Sequence, residues 1–249
     1  MARQTGLIKI KGTLDNVTFY KSKEGHLAKM KTTLDGSRIA NDPAFIRTRE
    51  NGAEFGVSAT SGKLTRDSLR PIAMNASDSK IVSRVTQLMT KIKNLDTTSA
   101  RGSRNAGVAM ALPAAKALLK GFEFNKDALL SSILFKPYAV NTTTGVITIA
   151  GLTPINDVAW PTGATHISIT GCYANINYAT GITDVKLTNV QNLLINSTPS
   201  TVTLTPTAVP AGTGAKVFLL KIEFFQLVNA LQYSLKNGAY NALRVIEVI

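Results

Sequence analysis

A chain of 249 residues, 44% hydrophobic and only 17% charged, is able to bury a core of its own, which excludes wholesale disorder and leaves room for one large domain or two small ones. Its net charge of +13 is unevenly spread, since residues 1–127 hold 22 Lys and Arg against 11 Asp and Glu, whereas residues 128–249 hold 6 against 4. The single cysteine, Cys172, excludes an intramolecular disulfide and a Cys-rich zinc site, and the two histidines, His26 and His166, stand in no metal-ligand spacing, so no metal or cofactor is expected.

The step in charge predicts a boundary near residue 128, between a basic N-terminal region, 1–127, and a charge-poor domain, 128–249, whose surface is kept wet by Thr, Asn and Ser. Residues 1–12 (MARQTGLIKIKG) have no apolar stretch ahead of their lysines, so no secretory leader is expected. The best apolar stretch, 108–119, is broken by Pro113 and Lys116 and falls short of the roughly 18 residues that cross a bilayer. The expected location is the cytoplasm, or a virion-like or extracellular particle, without a membrane span.

In chain order, residues 7–33 alternate as a small β-meander. Ile8 and Ile10 oppose Lys9 and Lys11, Val17 and Phe19 oppose Thr18 and Tyr20, and Ala28 and Met30 oppose Lys29 and Lys31. Asp42 before Pro43 predicts a capped helix start, and Phe45, Thr48, Gly52 and Phe55 carry helical spacing over 43–56. The clearest helix follows, with Ile81, Val85, Leu88, Ile92 and Leu95 in one stripe behind capping candidates at 77–79. Its other face carries Lys80, Arg84, Lys91 and Lys93. Residues 97–107 read as an exposed loop, and a short helix over 113–120 stops at Gly121.

From residue 129 the period changes to strands, at 133–138, 146–150, 166–173, 183–187, 201–205, 217–225, 233–235 and 243–248, separated by Gly, Pro, Asn and Thr. The expected fold is α+β: an N-terminal β-meander and central helices, followed by a C-terminal antiparallel β-sandwich, with no internal repeat.

Residues able to carry catalysis are few. In one strand, residues 166 and 172 stand about 20 Å apart at roughly 3.3 Å per residue, so His166 and Cys172 make no dyad there. The second half holds only Asp157, Asp184, Glu223 and Glu247 as acids, and neither GxGxxG nor GxxxxGK[ST] occurs, so the chain reads as non-enzymatic. Trp160, Tyr173, Tyr178, Tyr233 and Tyr240 read as packing or interface residues rather than a sugar platform.

Two surfaces invite partners. If the meander register holds, Lys9, Lys11, Lys29 and Lys31 share a face with Tyr20, and Lys80, Arg84 and Lys91 add a helical stripe. An anionic partner, nucleic acid first, would relieve the repulsion between these cations, although a lysine face also simply guards a sheet edge. The charge-poor half speaks for self-association, because only 10 of its 122 residues are charged and interface cores are depleted of charge. Its terminal strand, with Leu243, Val245 and Val248, is expected to pair with a neighbouring copy; the competing reading makes it an inner strand of its own sandwich. The function expected is that of a structural or assembly subunit, self-associating into a homo-oligomer or larger particle, phage-like or extracellular. The alternative is a nucleic-acid-binding protein that uses its basic N-terminal half.

The stretches GLIKIKGTLDNVTFYKSKEGHLAKMK, SRIANDPAFIRTRENGAEFG and FLLKIEFFQLVNALQYSLKNGAYNALRVIEV resemble a family of uncharacterised proteins of similar size from Bacteroidota and their mobile elements. The likeness touches both halves and implies no activity, cofactor or site residue.

Overall fold

Two tight reversals set the first sheet. Asp15 takes a φ of +48° between one pair of strands and Gly25 takes +111° at the next, the left-handed values that two-residue hairpin loops demand. The computed structural model describes residues 2–31 and 35–249, with Lys236 and Asn237 in backbone only. Strands β1 (Ala2–Arg3), β2 (Gly12–Leu14), β3 (Val17–Ser22) and β4 (Gly25–Met30) form an antiparallel sheet in the order β1-β4-β3-β2.

The expected strand at Ile8 and Ile10 does not form. The Gln4 side-chain amide accepts from the Ile10 N–H at 2.9 Å and donates to the Ile10 carbonyl at 3.1 Å, taking the groups that a neighbouring strand would use. Ile8 is left 85% exposed. Residues 32 and 33, which close the expected meander, lie outside the described residues.

Helix α1 (Gly36–Asn41) and a 3-10 turn (Pro43–Phe45) come next. As expected, Asp42 caps that turn, its carboxylate accepting from the Ala44 N–H at 2.9 Å. Helix α2 (Ile46–Ser68) outruns the expected 43–56 and buries a different face: Phe55 is 61% exposed, while Glu54, Ser58, Ser61, Gly62 and Thr65 are buried. Then follow α3 (Arg70–Ala73), α4 (Ile81–Lys93), α5 (Ala106–Ala109), α6 (Pro113–Leu119) and α7 (Leu130–Ile133). The stripe predicted for α4 is the one it buries, through Val85, Met89 and Ile92. Small residues let α2 come close to α4, since a Cβ on Gly62 would stand 3.4 Å from the Thr86 hydroxyl.

The remaining elements are β5 (Ala139–Val140), β6 (Ile147–Leu152), α8 (Pro154–Asp157), β7 (His166–Ile176), β8 (Thr183–Leu194), β9 (Ser200–Leu204), β10 (Ala215–Val228), β11 (Leu231–Ser234) and β12 (Ala242–Val248). Residues 133–138 are not a strand. Their apolar run is divided between the end of α7 and a single bridge from Leu134 to Val158.

Strand β10 is the spine of a five-stranded antiparallel sheet. It pairs with β7 over its first eleven residues, with β12 over Val217 to Ile222 and with β11 at its far end, while β8 flanks β7. Alternation then gives the sheet two covered faces. Cys172, Ala174, Leu219, Leu243 and Val245 pack in one cluster with Val85, Met89, Ile92, Leu119 and Phe124 of the helical segment. Ile167, Ile169, Phe218, Leu220 and Phe224 pack in another with Ile147, Ile149, Val202 and Leu204 of the three-stranded sheet β5-β6-β9. A strand buried on both faces has no reason to alternate in hydropathy, hence the unbroken apolar run at 217–220.

The chain is thus α+β with antiparallel sheets, and it divides into two compact units, Met1–Asn51 and Gly52–Ile249. The step in charge near residue 128 is no boundary between them. Leu119 and Phe124 share a cluster with Leu243 and Val245, so the helices before residue 128 and the strands after it close one core. Charge density records surface composition and is silent about which apolar stripes meet inside.

Candidate functional site

The N-terminal sheet has two unlike faces. Its register sets Leu14, Val17 and Met30 in one cross-strand row and Gly12, Phe19, Ala28 and Ala2 in the next, all on one side. On that side Leu14 is 65% and Met30 71% exposed. The opposite side carries Thr13, Thr18 and Lys29 in one row and Tyr20, Leu27 and Arg3 in the next. Among the described residues of this unit, only Leu27 is buried.

The predicted anion contacts are brought together only in part. Tyr20 and Lys29 share the polar side, the ammonium 5.7 Å from the ring centre. Lys9 sits in the irregular segment and donates to the Gln4 carbonyl at 2.6 Å. Lys11 precedes β2 and Lys31 follows β4, both exposed, so the row of four lysines expected beside Tyr20 does not form.

On α4 the expected basic stripe is broken as well. Lys80 and Lys91 are exposed, but Arg84 forms an ion pair with Asp78, donates to the Glu123 carbonyl and lies 5.1 Å from the Phe122 ring centre. Its guanidinium is committed within the fold and is withdrawn from the list of phosphate contacts. Lys93 is buried and ion-paired with Glu54, which also accepts from the Gly102 N–H at 2.8 Å and lies 3.6 Å from Arg104. Led by the Lys93 hydrogen bond, these donors hold the Glu54 carboxyl below its ordinary range. Asp96 next to it is buried, which works against its charge, yet the N–H groups of Ser99, Asn105 and Thr98 together lower it further still. The loop expected to be exposed at 97–107 is therefore anchored at both ends by buried carboxylates.

A second polar centre joins the helical segment to β12. Glu123 accepts from the Leu130 N–H at 3.3 Å and stands 3.6 Å from Arg244; burial pushes its carboxyl up to about 7 against the pull of these neighbours. This carboxylate was missed because its partners lie 7 and 121 positions away along the chain.

The residues expected to carry self-association are in the interior. Leu243 and Val245 are fully buried and Val248 is 7% exposed. The outer edge of β12 is also taken: the Gly121 N–H donates to the Val245 carbonyl at 2.8 Å, the Phe124 N–H to the Leu243 carbonyl at 2.8 Å, and the Val245 N–H to the Phe122 carbonyl at 2.9 Å. An inner strand offers no edge to another copy, so Leu243, Val245 and Val248 serve the core.

An exposed apolar ribbon lies elsewhere. Asn229 and Ala230 take φ of +51° and +64° and fold β10 onto β11, with Val228 opposite Leu231 and Gln226 opposite Tyr233. Val228, Leu231 and Tyr233 share one side and are 43%, 60% and 55% exposed. Of the other aromatic residues, Tyr173 stacks on Phe218 with ring centres 4.3 Å apart, and Tyr178 shares a hydrogen bond with Thr65 at 3.1 Å. Trp160 and Tyr240 line a cavity of about 400 Å³.

Cys172 is 1% exposed and burial pushes its thiol up to about 12, the opposite of an activated nucleophile. The His166 ring bonds the Thr165 hydroxyl at 2.9 Å. Among the described residues no group of three or more His, Cys, Asp and Glu could hold a metal ion, and no helix is long and apolar enough to cross a membrane. Comparisons with protein-family models, with curated proteins and with solved structures gave no match.

Proposed function

We propose that this protein is a structural subunit that assembles with copies of itself, the apolar side of the N-terminal sheet in one copy covering the apolar hairpin of the next. The observation that carries this reading is the sheet with Leu14, Val17, Phe19, Ala28 and Met30 on one side, in a unit whose only buried side chain among the described residues is Leu27. Small sheets are stable only when a face is covered. The hairpin side with Val228, Leu231 and Tyr233 supplies a second apolar surface on the same chain, and two different surfaces that match make a head-to-tail contact, which closes into a ring or runs on as a filament. The charge-poor strands of the larger unit, read as a β-sandwich backed by helices, add little repulsion between copies. A virion-like or extracellular particle is the setting this reading favours, with the cytoplasm as the place of synthesis.

The test uses full-length protein and measures mass in solution over a wide concentration range. Wild type is expected to form concentration-dependent oligomers. Leu14→Glu/Met30→Glu and Leu231→Glu are each expected to be monomeric, and mixing the two variants is expected to give a 1:1 dimer, because each retains the surface that the other has lost. A wild type that stays monomeric throughout would overturn the proposal, as would variants that assemble like wild type.

The second reading, nucleic-acid binding, rests on the Lys29 ammonium placed over the Tyr20 ring, a pairing suited to a phosphate beside a stacked base. Salt-sensitive retention on immobilised DNA by a protein that remains monomeric would favour it over assembly.

A further inference from the structure

A cavity of about 410 Å³ opens where α2 gives way to α3. Its cationic wall is made by Lys63, Arg66 and Arg70, spaced three and four residues apart, which in a helix sets them on one side over a rise of about 10 Å. Lys63 and Arg70 are exposed at the rim. Arg66 is half-buried and oriented by a hydrogen bond from its Nε to the Gly62 carbonyl at 3.3 Å.

The charge in this cavity is not neutralised. Among the described residues no carboxylate lies within 4.0 Å of any of the three cations. That contrasts with Arg84, Lys93 and Arg244 of the same unit, each of which faces an acid. Asp67 also lines the cavity, which leaves a formal balance of three cations to one acid. The facing wall is apolar, formed by Met74, Ile81 and Phe124.

From this arrangement we infer that the cavity is a binding site for a nucleotide unit, its phosphate held by Lys63, Arg66 and Arg70. Guanidinium forks match phosphate oxygens in geometry and in charge, and three of these cations together outweigh a single carboxylate ligand's need. The apolar wall suits the flat side of a base or sugar, and Asp67 supplies an acceptor for a sugar hydroxyl or a base amino group. The volume is that of a small-ligand site rather than a macromolecular groove. The nucleotide arrives either free or as one residue of a single strand, and the chemistry at the cavity is the same in both cases. This site is separate in the chain from the Tyr20 and Lys29 face.

Fluorescence anisotropy with a labelled thymidine oligomer, with adenosine monophosphate and inorganic phosphate as competitors, tests the inference on full-length protein. Lys63→Gln/Arg66→Gln/Arg70→Gln is expected to weaken binding at least tenfold at 0.1 M salt. If the strand is the source, the variant's log-log salt dependence is also expected to be shallower by about 2, at about 0.7 per phosphate contact on single strands. Lys63→Gln/Arg70→Gln, which changes only exposed side chains and leaves the fold intact, is expected to lose part of the affinity. Competition by the monophosphate at concentrations comparable to the oligomer's own dissociation constant identifies the free nucleotide as the source; competition only at far higher concentration identifies the strand. Saturable binding that is unchanged in the triple variant overturns the inference. So does an equal loss in the control Lys80→Gln/Lys91→Gln, or the absence of saturable binding by all three probes.

Discussion

The N-terminal sheet and the sheet built on β10 are made of similar antiparallel hairpins, yet they end in opposite states. β3 has half-buried residues along nearly its whole length, while β10 is buried almost continuously from Ala215 to Ile222. Hairpin geometry is the same in both. What differs is cover: β10 has helices on one side and a second sheet on the other, whereas the side bearing Leu14 and Met30 is open. Turns and register choose the shape of a sheet, and the layers against its faces decide how much free energy that shape holds.

The largest break in this comparison is expected at Glu54. Glu54→Ala leaves the Lys93 ammonium buried without its partner, which costs about 3–5 kcal/mol, read as a drop in the urea midpoint of the larger unit. Removing both charges with Glu54→Leu/Lys93→Met is expected to recover most of the loss. A single variant as stable as wild type would mean that the pair is solvated.

A smaller effect is expected from Glu123. Its folded carboxyl titrates at about 7 against an ordinary 4.5, so the folded state binds the proton more tightly than the unfolded chain does. The contribution is fully present below pH 4.5 and is lost as pH rises to about 7. Stability in that window is expected to fall with pH less steeply in Glu123→Gln than in wild type, measured by urea unfolding at several pH values. Identical slopes in the two proteins would place the Glu123 titration elsewhere.

The smallest effect sharpens the contrast from the other side. Met30→Ala, in monomeric protein at low concentration, is expected to change the unfolding midpoint by no more than about 0.5 kcal/mol, because an exposed side chain has little packing to lose. A shift above about 2 kcal/mol would show that the apolar side of the sheet is covered in the monomer.

Much of this was legible in the sequence where one physical signal dominates. The stripe through Val85, Met89 and Ile92 fixed α4, and Asp42 before Pro43 marked its cap, because capping and helical periodicity act over a few residues. α2 was read short and on the wrong face because it buries Glu54, Ser58, Ser61 and Thr65, which carry no apolar period. Arg84 looked like a surface cation because its acceptors, Asp78 aside, are 39 and 40 residues away. β12 was rightly a strand, but an apolar terminal strand reads the same whether its edge is open or closed by residues 121–124. The cavity at Lys63, Arg66 and Arg70 had a signal that went unused, three cations at helical spacing, hidden by ending the helix too early.

The lone thiol gives the molecule an internal clock. Cys172 stands opposite Leu219, shut between the five-stranded sheet and the helical layer, and its reactive thiolate is scarce near neutral pH. A thiol reagent reaches it only when those layers part, so the rate at which protein becomes labelled counts opening events rather than surface encounters. With no other cysteine in the chain, one added mass per molecule reports that breathing without any engineered probe.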